Sequence, residues 1–305
     1  MSVPYRLANA PCSWGVDFAD KPENPSWRRV LDEVAAAGFS AIDLGPVGYL
    51  PIDPVQLSDE LARRGLSLSA GGLFDSLADP AAFAAVLGKT RRTCEILQAL
   101  NAPRLVIIDC VSGARGRTAG RSDASPRLAP ADWKAMMGRI ATIARIARDD
   151  YGVKSTLHSH AGCYIEYEDE VDRAMADLPA DLVGLCVDTG HAAYAGIDPV
   201  QLIRRYAGRV KHLHFKTIST DVHAACVADG TDFFSAIARG VFCPLPRGRV
   251  DFTAIADAMA AIGYRGMVVV EQDVDPTGEA SPLANAKESY AFLKSIGIAT
   301  SEASR

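Results

Sequence analysis

Eight short apolar runs, each leading into a stretch with helical spacing, constrain the fold of this chain more than any other feature. The runs fall at residues 6–11, 40–44, 66–71, 104–109, 154–158, 183–188, 210–215 and 266–271. Short apolar runs bounded by turn residues read as buried strands. The intervening segments read as helices at residues 27–37, 54–65, 80–100, 132–151, 168–178, 199–207, 252–262 and 281–296. The first has Trp27, Val30, Leu31 and Val34 on one face and stops at Gly38, a natural residue just past a helix end. Three others open on Asp-Pro, at Asp53-Pro54, Asp79-Pro80 and Asp198-Pro199, which pairs a capping carboxylate with a proline suited to the first turn. Strands that alternate with helices form parallel sheets, because a parallel connection needs a crossover. Eight such units in 305 residues predict an α/β fold, a single (β/α)8 barrel over residues 1–305. An open doubly wound sheet is the alternative, but the first strand-to-helix turn lacks a Gly-x-Gly-x-x-Gly run.

Two segments break the rhythm. Residues 111–130 form a polar loop rich in Gly, Arg, Ser and Ala, read as an active-site lid or a disordered excursion; its Arg115, Arg117 and Arg121 could meet an anionic substrate but read first as solvated. Residues 221–249 form an insertion with one short helix at 233–238 and a Pro/Gly-rich loop at 243–248.

Bulk properties narrow the function. A net charge of −5 argues against a nucleic-acid binder, which usually shows a basic excess. The seven cysteines form no Cys-x-x-Cys pair, which points to a reducing compartment with neither a disulfide framework nor a cysteine zinc site. Met-Ser-Val-Pro-Tyr-Arg lacks a basic region followed by an apolar one, and no apolar run approaches the ~18 residues of a membrane span. These features predict a cytoplasmic protein with no membrane partner; a homo-oligomer is compatible with them.

The chemistry lies at the strand ends. The run at 183–188 closes on Asp188, and Thr189-Gly190-His191 follow as a turn. On its own this acid reads equally well as a helix cap. Other strands, however, end in His158 and His160, in His214 followed by Lys216, and in Glu271. A barrel gathers such exits around its axis, where active sites are built. An unpartnered Glu271 after an apolar run would cost several kcal/mol, so a shared site is expected. Imidazole nitrogens with carboxylate oxygens suit one divalent ion, Mn²⁺, Fe²⁺, Co²⁺ or Zn²⁺, over Mg²⁺ or Ca²⁺; Mn²⁺ or Co²⁺ is the expected occupant.

The stretches His158-Ser-His160-Ala-Gly162, Gly184-Leu-Cys-Val-Asp-Thr-Gly-His191, Arg209-Val-Lys-His-Leu-His-Phe-Lys216, Gly240-Val-Phe-Cys-Pro-Leu-Pro-Arg-Gly248 and Val268-Val-Val-Glu-Gln-Asp-Val-Asp-Pro276 resemble the xylose-isomerase-like, endonuclease-IV-like barrel superfamily, and within it the inosose dehydratase family. The resemblance implies a metal-dependent lyase that dehydrates a keto-cyclitol or keto-sugar by removing an α-proton and expelling a β-hydroxyl. A metal-dependent keto-sugar isomerase or epimerase is the alternative. The resemblance implies metal ligands Asp188, His214 and Glu271, with a fourth from the fifth strand. His158 aligns with that position, where the superfamily mostly has Glu, and His160 competes for it. A second departure is Thr217, where relatives often carry Asp. The acid and base candidates are His160, His191, Lys216 and Glu166, although Glu166 also reads as part of an acidic helix start. Lys216, toward a substrate hydroxyl or phosphate, and Glu166 are candidate substrate contacts. Trp14 and Phe74 are candidate apolar walls for a polyol ring.

Overall fold

A computed structural model describes residues 5–278 and 281–299. The leader-free reading of the N-terminus falls largely on residues 1–4, outside the described residues. The strands are β1 (Leu7–Asn9), β2 (Ala41–Ile42), β3 (Ser67–Leu68), β4 (Gly71–Asp75), β5 (Arg104–Asp109), β6 (Lys154–His158), β7 (Val183–Asp188), β8 (Val210–Phe215) and β9 (Val268–Val270). All pair in parallel, in the order β3-β2-β1-β9-β8-β7-β6-β5-β4. The two ends of that order, β3 and β4, are separated in the chain by Ser69 and Ala70 alone. They are one barrel strand interrupted at a bend, so the nine segments close an eight-stranded ring. The expected strand at 66–71 is thus split and runs on to Asp75. Flanking residues carry the ladder across the break: Ser69 N–H donates to Ile42 O and Leu44 N–H to Ala70 O, each at 2.9 Å.

The helices are α1 (Trp27–Ala37), α2 (Pro54–Ala62), α3 (Phe83–Ala99), α4 (Gly113–Gly116), α5 (Pro130–Tyr151), α6 (Glu168–Asp177), α7 (Thr189–Tyr194), α8 (Pro199–Arg205), α9 (Thr220–Asp229), α10 (Phe233–Ala238), α11 (Phe252–Ala261) and α12 (Pro282–Ser295). Local chemistry sets their limits. Ser26 Oγ caps α1 by accepting from Arg29 N–H, and Val30, Leu31, Val34 and Ala37 form its buried face. Burying each larger side chain there stabilises by about 1.5–3 kcal/mol. The helix ends at Gly38, whose φ of 103° favours glycine and where a Cβ would stand 2.8 Å from the Tyr290 ring. Asp53 and Asp198 cap α2 and α8 as expected.

Four expectations change. Asp79 closes a turn by accepting from Ala81 N–H at 2.8 Å, and α3 begins later, at Phe83. Thr189 and Gly190 are not a turn but the first residues of α7. The insertion holds an unforeseen helix, α9, in which Cys226 alone is buried, so it has no apolar stripe to read. The polar loop at 111–130 is not a disordered excursion, since it carries α4, and Arg115 is not solvated. That side chain is completely buried, and its guanidinium donates to both carboxylate oxygens of Glu170 at 2.8 Å.

The main apolar core lies between sheet and helices. Inside the ring the side chains are small. Ala8, Ala10, Ala41 and Val269 form one cluster and Ala70, Val106 and Cys186 another. This small filling leaves room within the barrel for the polar column on β8. No helix among the described residues is long and apolar enough to cross a membrane.

Candidate active site

Strand register brings the strand-end residues together. His158 pairs in register with Cys186, and Asp188 with His214. Side chains alternate along a strand, so His158, Cys186, Asp188, His212 and His214 share the inner face. His158, Asp188 and His214 each offer a ligand atom within 4.8 Å of the others. His158 Nε2 lies 3.4 Å from Asp188 Oδ2, and His214 Nδ1 lies 3.8 Å from the same oxygen. Glu271 joins through its Oε2, 3.3 Å from His214 Nδ1. His160, the competing ligand, belongs to a separate group with His191 and Asp273.

Asp188 is both a cap and a site residue. Its Oδ1 accepts from the N–H groups of Gly190 and His191, each at 2.8 Å, and so starts α7. Its Oδ2 is buried without a hydrogen-bond partner among the described residues, as are His158 Nδ1 and both ring nitrogens of His214. Orphaned polar atoms of this kind are costly to bury. A divalent cation at their focus would satisfy them, and the mixed nitrogen and oxygen donors fit one.

Lys216 is the cation that the structure itself places here. Its Nζ lies 2.8 Å from Asp273 Oδ1, 3.0 Å from Glu271 Oε2 and 3.5 Å from Asp188 Oδ2. Burial opposes its charge, but Asp188, Asp273 and Glu271 hold it well above the usual lysine range. The acids respond in kind. Burial pushes Asp188 up, yet Lys216, His191 and His158 hold it well below the ordinary carboxylate range. Burial likewise opposes ionised Asp273, and Lys216 and His191 draw it down to about 2. His214 is raised well above the usual imidazole value, since Cys186 and Glu271 outweigh the burial that would lower it. Thr189 fixes the backbone of Lys216 from both sides, its Oγ1 accepting from Lys216 N–H at 3.0 Å and donating to Lys216 O at 2.6 Å. Gly190 allows the approach, because a Cβ there would meet Lys216 Cγ at 2.5 Å.

The two remaining histidines are stacked, with ring centroids 3.8 Å apart. His160 Nδ1 lies 2.8 Å from Ala161 O, so Nδ1 carries the proton and Nε2 keeps a free lone pair. The His191 Nδ1 lies 3.3 Å from Ala161 N, and its Nε2 lies 3.0 Å from Lys216 Nζ and 3.5 Å from Asp273 Oδ2. Burial, then neighbouring cations and imidazoles, lower the pKa of both. Both rings are therefore neutral at pH 7.

A cavity of about 420 Å³ opens over these groups. His158, His160, His214, Lys216, Glu271 and Asp273 line its polar side, and Phe18, Phe74, Phe233 and Phe234 its apolar side. Phe74 thus stands where a wall was expected. Trp14 does not: it is buried, and its Nε1 donates to Glu33 Oε2 at 2.6 Å. Glu166 also lies outside the lining. Its Oε1 accepts from Gly120 N–H at 2.7 Å and its Oε2 from Gly162 N–H at 3.0 Å, beside Arg115. It ties the 111–130 loop to the barrel, which leaves it no free oxygen for a substrate. Burial nevertheless pushes its pKa up to about 7. Thr217 accepts from Val250 N–H at 3.1 Å and secures the end of the insertion.

Four acids on the cavity went unforeseen, exposed Asp20 at its rim and three deeper ones. Asp273 follows Glu271 by two residues, and the two-residue period of an extended segment was a signal for it. Asp43 sits at the exit of β2 and accepts from Ser69 Oγ; burial raises it to about 6. Asp17 follows a short 3-10 turn and has no sequence signal; burial and Asp273 raise it to about 7.

A family model for the xylose isomerase-like TIM barrel matches residues 31–296. Inosose dehydratase of Geobacillus kaustophilus is 29% identical over 293 residues, 95% of this chain and 94% of that protein. Rhizopine catabolism protein MocC of Rhizobium meliloti is 33% identical over 305 aligned positions, 97% of this chain and 90% of that protein. In three dimensions the IolI protein, solved with a bound zinc atom, superposes with a TM-score of 0.72 at 14% identity, over 97% of this chain and 100% of that one. This chain belongs to the xylose isomerase-like TIM barrel family.

Proposed function

We propose that this protein is a divalent-metal-dependent carbon–oxygen lyase that removes water from a keto-cyclitol of the inosose type. His158, Asp188, His214 and Glu271 hold the ion, Mn²⁺ or Co²⁺. When bound, such an ion polarises a ketone and stabilises the negative charge that develops beside it. One observation carries the reading. A neutral imidazole with a free Nε2 and a lysine held as an ammonium line the same cavity as His158 and His214. An elimination needs this pair of a base and an acid.

The chain supplies the proton transfers. His160 Nε2 takes the proton from the carbon next to the ketone. Lys216 gives a proton to the β-hydroxyl, which leaves as water as the carbon–carbon double bond forms. Asp273 and His191 position the ammonium, and the proton gained by His160 restores it through solvent once the product has left. The net change is loss of one hydrogen and one hydroxyl from adjacent carbons, with no oxidation. The phenyl rings of Phe18, Phe74 and Phe233 exclude water from the reacting carbons. The inosose dehydratase of Geobacillus kaustophilus supports the substrate class.

The test is incubation of Mn²⁺-loaded enzyme with an inosose. A growing dione absorbance is expected, reduced about 100-fold or more in His160→Gln. Recovery of an epimerised ketone without loss of water would overturn the lyase reading in favour of a keto-sugar epimerase.

A further inference from the structure

A second cavity, of about 630 Å³, opens at the opposite, N-terminal mouth of the barrel. Arg6, Arg104, Lys211 and Arg265 line it, with no carboxylate among the described lining residues. In a chain of net charge −5 this is a local concentration of positive charge. None of the four cations has an ion-pair partner among the described residues; Arg104 is half-buried, and Arg6, Lys211 and Arg265 are exposed at the rim. Arg104 is the key member. Val106 and Ile108 line the upper cavity, and Arg104, two and four residues before them on β5, shares their inward face. Burial lowers its pKa, the mark of a guanidinium withdrawn from water. Arg6 is braced by donating to Ser67 Oγ at 2.9 Å. The inner wall is His212, buried and with Nε2 lacking a hydrogen-bond partner among the described residues.

We propose that this mouth is a binding site for a small phosphate-bearing metabolite, separate from the upper cavity. The three guanidinium groups present planar forks that match phosphate oxygens, and Lys211 adds a mobile point charge at the rim. Cations that line one cavity without counterions repel one another, so an anion bound there relieves that repulsion as well as forming new hydrogen bonds. The volume exceeds that of phosphate alone and leaves room for a small polyhydroxy or carboxylate body. Val210 and His212 on β8 face this lower cavity, and His214 and Lys216 on the same strand face the upper one, so one strand spans both.

The probe is inorganic phosphate, titrated at fixed ionic strength into the metal-loaded protein and followed by calorimetry. Saturable binding below about 10 mM is expected. It weakens at least about tenfold in Arg104→Gln/Arg265→Gln and persists in Lys216→Met, which alters the upper cavity alone. Lys211→Gln, an exposed change that does not threaten folding, weakens binding by a smaller factor and lowers its salt dependence. Failure to saturate in the wild type overturns the proposal. So does binding that is lost in Lys216→Met and kept in the arginine double variant, which would put the anion in the upper cavity.

Discussion

The two oxygens of Asp188 face different environments, and a pair of substitutions separates what each does. Oδ1 accepts two backbone N–H groups at the start of α7, and Oδ2 faces His158, His214 and Lys216. Asparagine keeps a carbonyl oxygen for the cap but no anion for the site. Alanine removes both. Asp188→Asn is therefore expected to lose bound metal while staying about 1 kcal/mol more stable than Asp188→Ala, the usual worth of a cap. Metal content by mass spectrometry and urea midpoints of the two variants check this. Stoichiometric metal in the asparagine variant would remove Asp188 from the ligand set. The same residue explains why a cap and a ligand could not be told apart from sequence. An acid at a strand exit that leads straight into a helix meets the requirements of both.

At the scale of elements, the polar loop at 111–130 is held by one buried arginine. Arg115 bonds both oxygens of Glu170, lies 3.4 Å from Glu166 and donates to Pro126 O at 3.0 Å. Glu170 in turn accepts from Glu166 and Tyr167 N–H at the start of α6. Replacing Arg115 by Met keeps the volume but leaves buried Glu166 without an ion-pair partner and Glu170 with Arg127 alone. A loss of about 3–5 kcal/mol is expected, read from chemical denaturation. A loss under about 1 kcal/mol would mean that the network is solvated. The sequence showed arginines in a glycine-rich loop but not the partners some fifty residues on, because ion pairing is non-local. What was legible follows the same logic. The α1 boundaries were readable because cap, apolar period and terminal glycine are all local to residues 26–38. Helix α9 was not, having one buried side chain. The strand-end residues of β6 to β9 could be placed from the apolar runs that they close. Asp17 could not, because a turn in the first loop carries it to the cavity.

At the scale of the whole molecule, the site joins four neighbouring strands, β6 to β9, so metal binding is linked to the stability of the barrel. An ion present at about a hundred times its Kd adds about 2.7 kcal/mol. Spread over an unfolding entropy of about 2 cal/mol/K for each of 305 residues, this raises the melting midpoint by about 4 °C. Chelation should lower the midpoint by that amount without collapsing the fold, because Lys216 and His214 already offset part of the charge of Asp188, Glu271 and Asp273. These three acids are held below the ordinary carboxylate range. Their stabilisation of the metal-free protein is thus fully present above about pH 4 and is lost as the pH falls through their folded values. Removing the ammonium makes the acids repel one another, so Lys216→Met should widen the gap between metal-loaded and chelated protein. Glu271→Ala removes a proposed ligand and should close the gap. Scanning calorimetry of the three proteins with Mn²⁺ and with a chelator decides the matter. An unchanged gap in Glu271→Ala, or a gap that narrows in Lys216→Met, would mean that the ion binds elsewhere and that the lysine alone balances this cluster of acids.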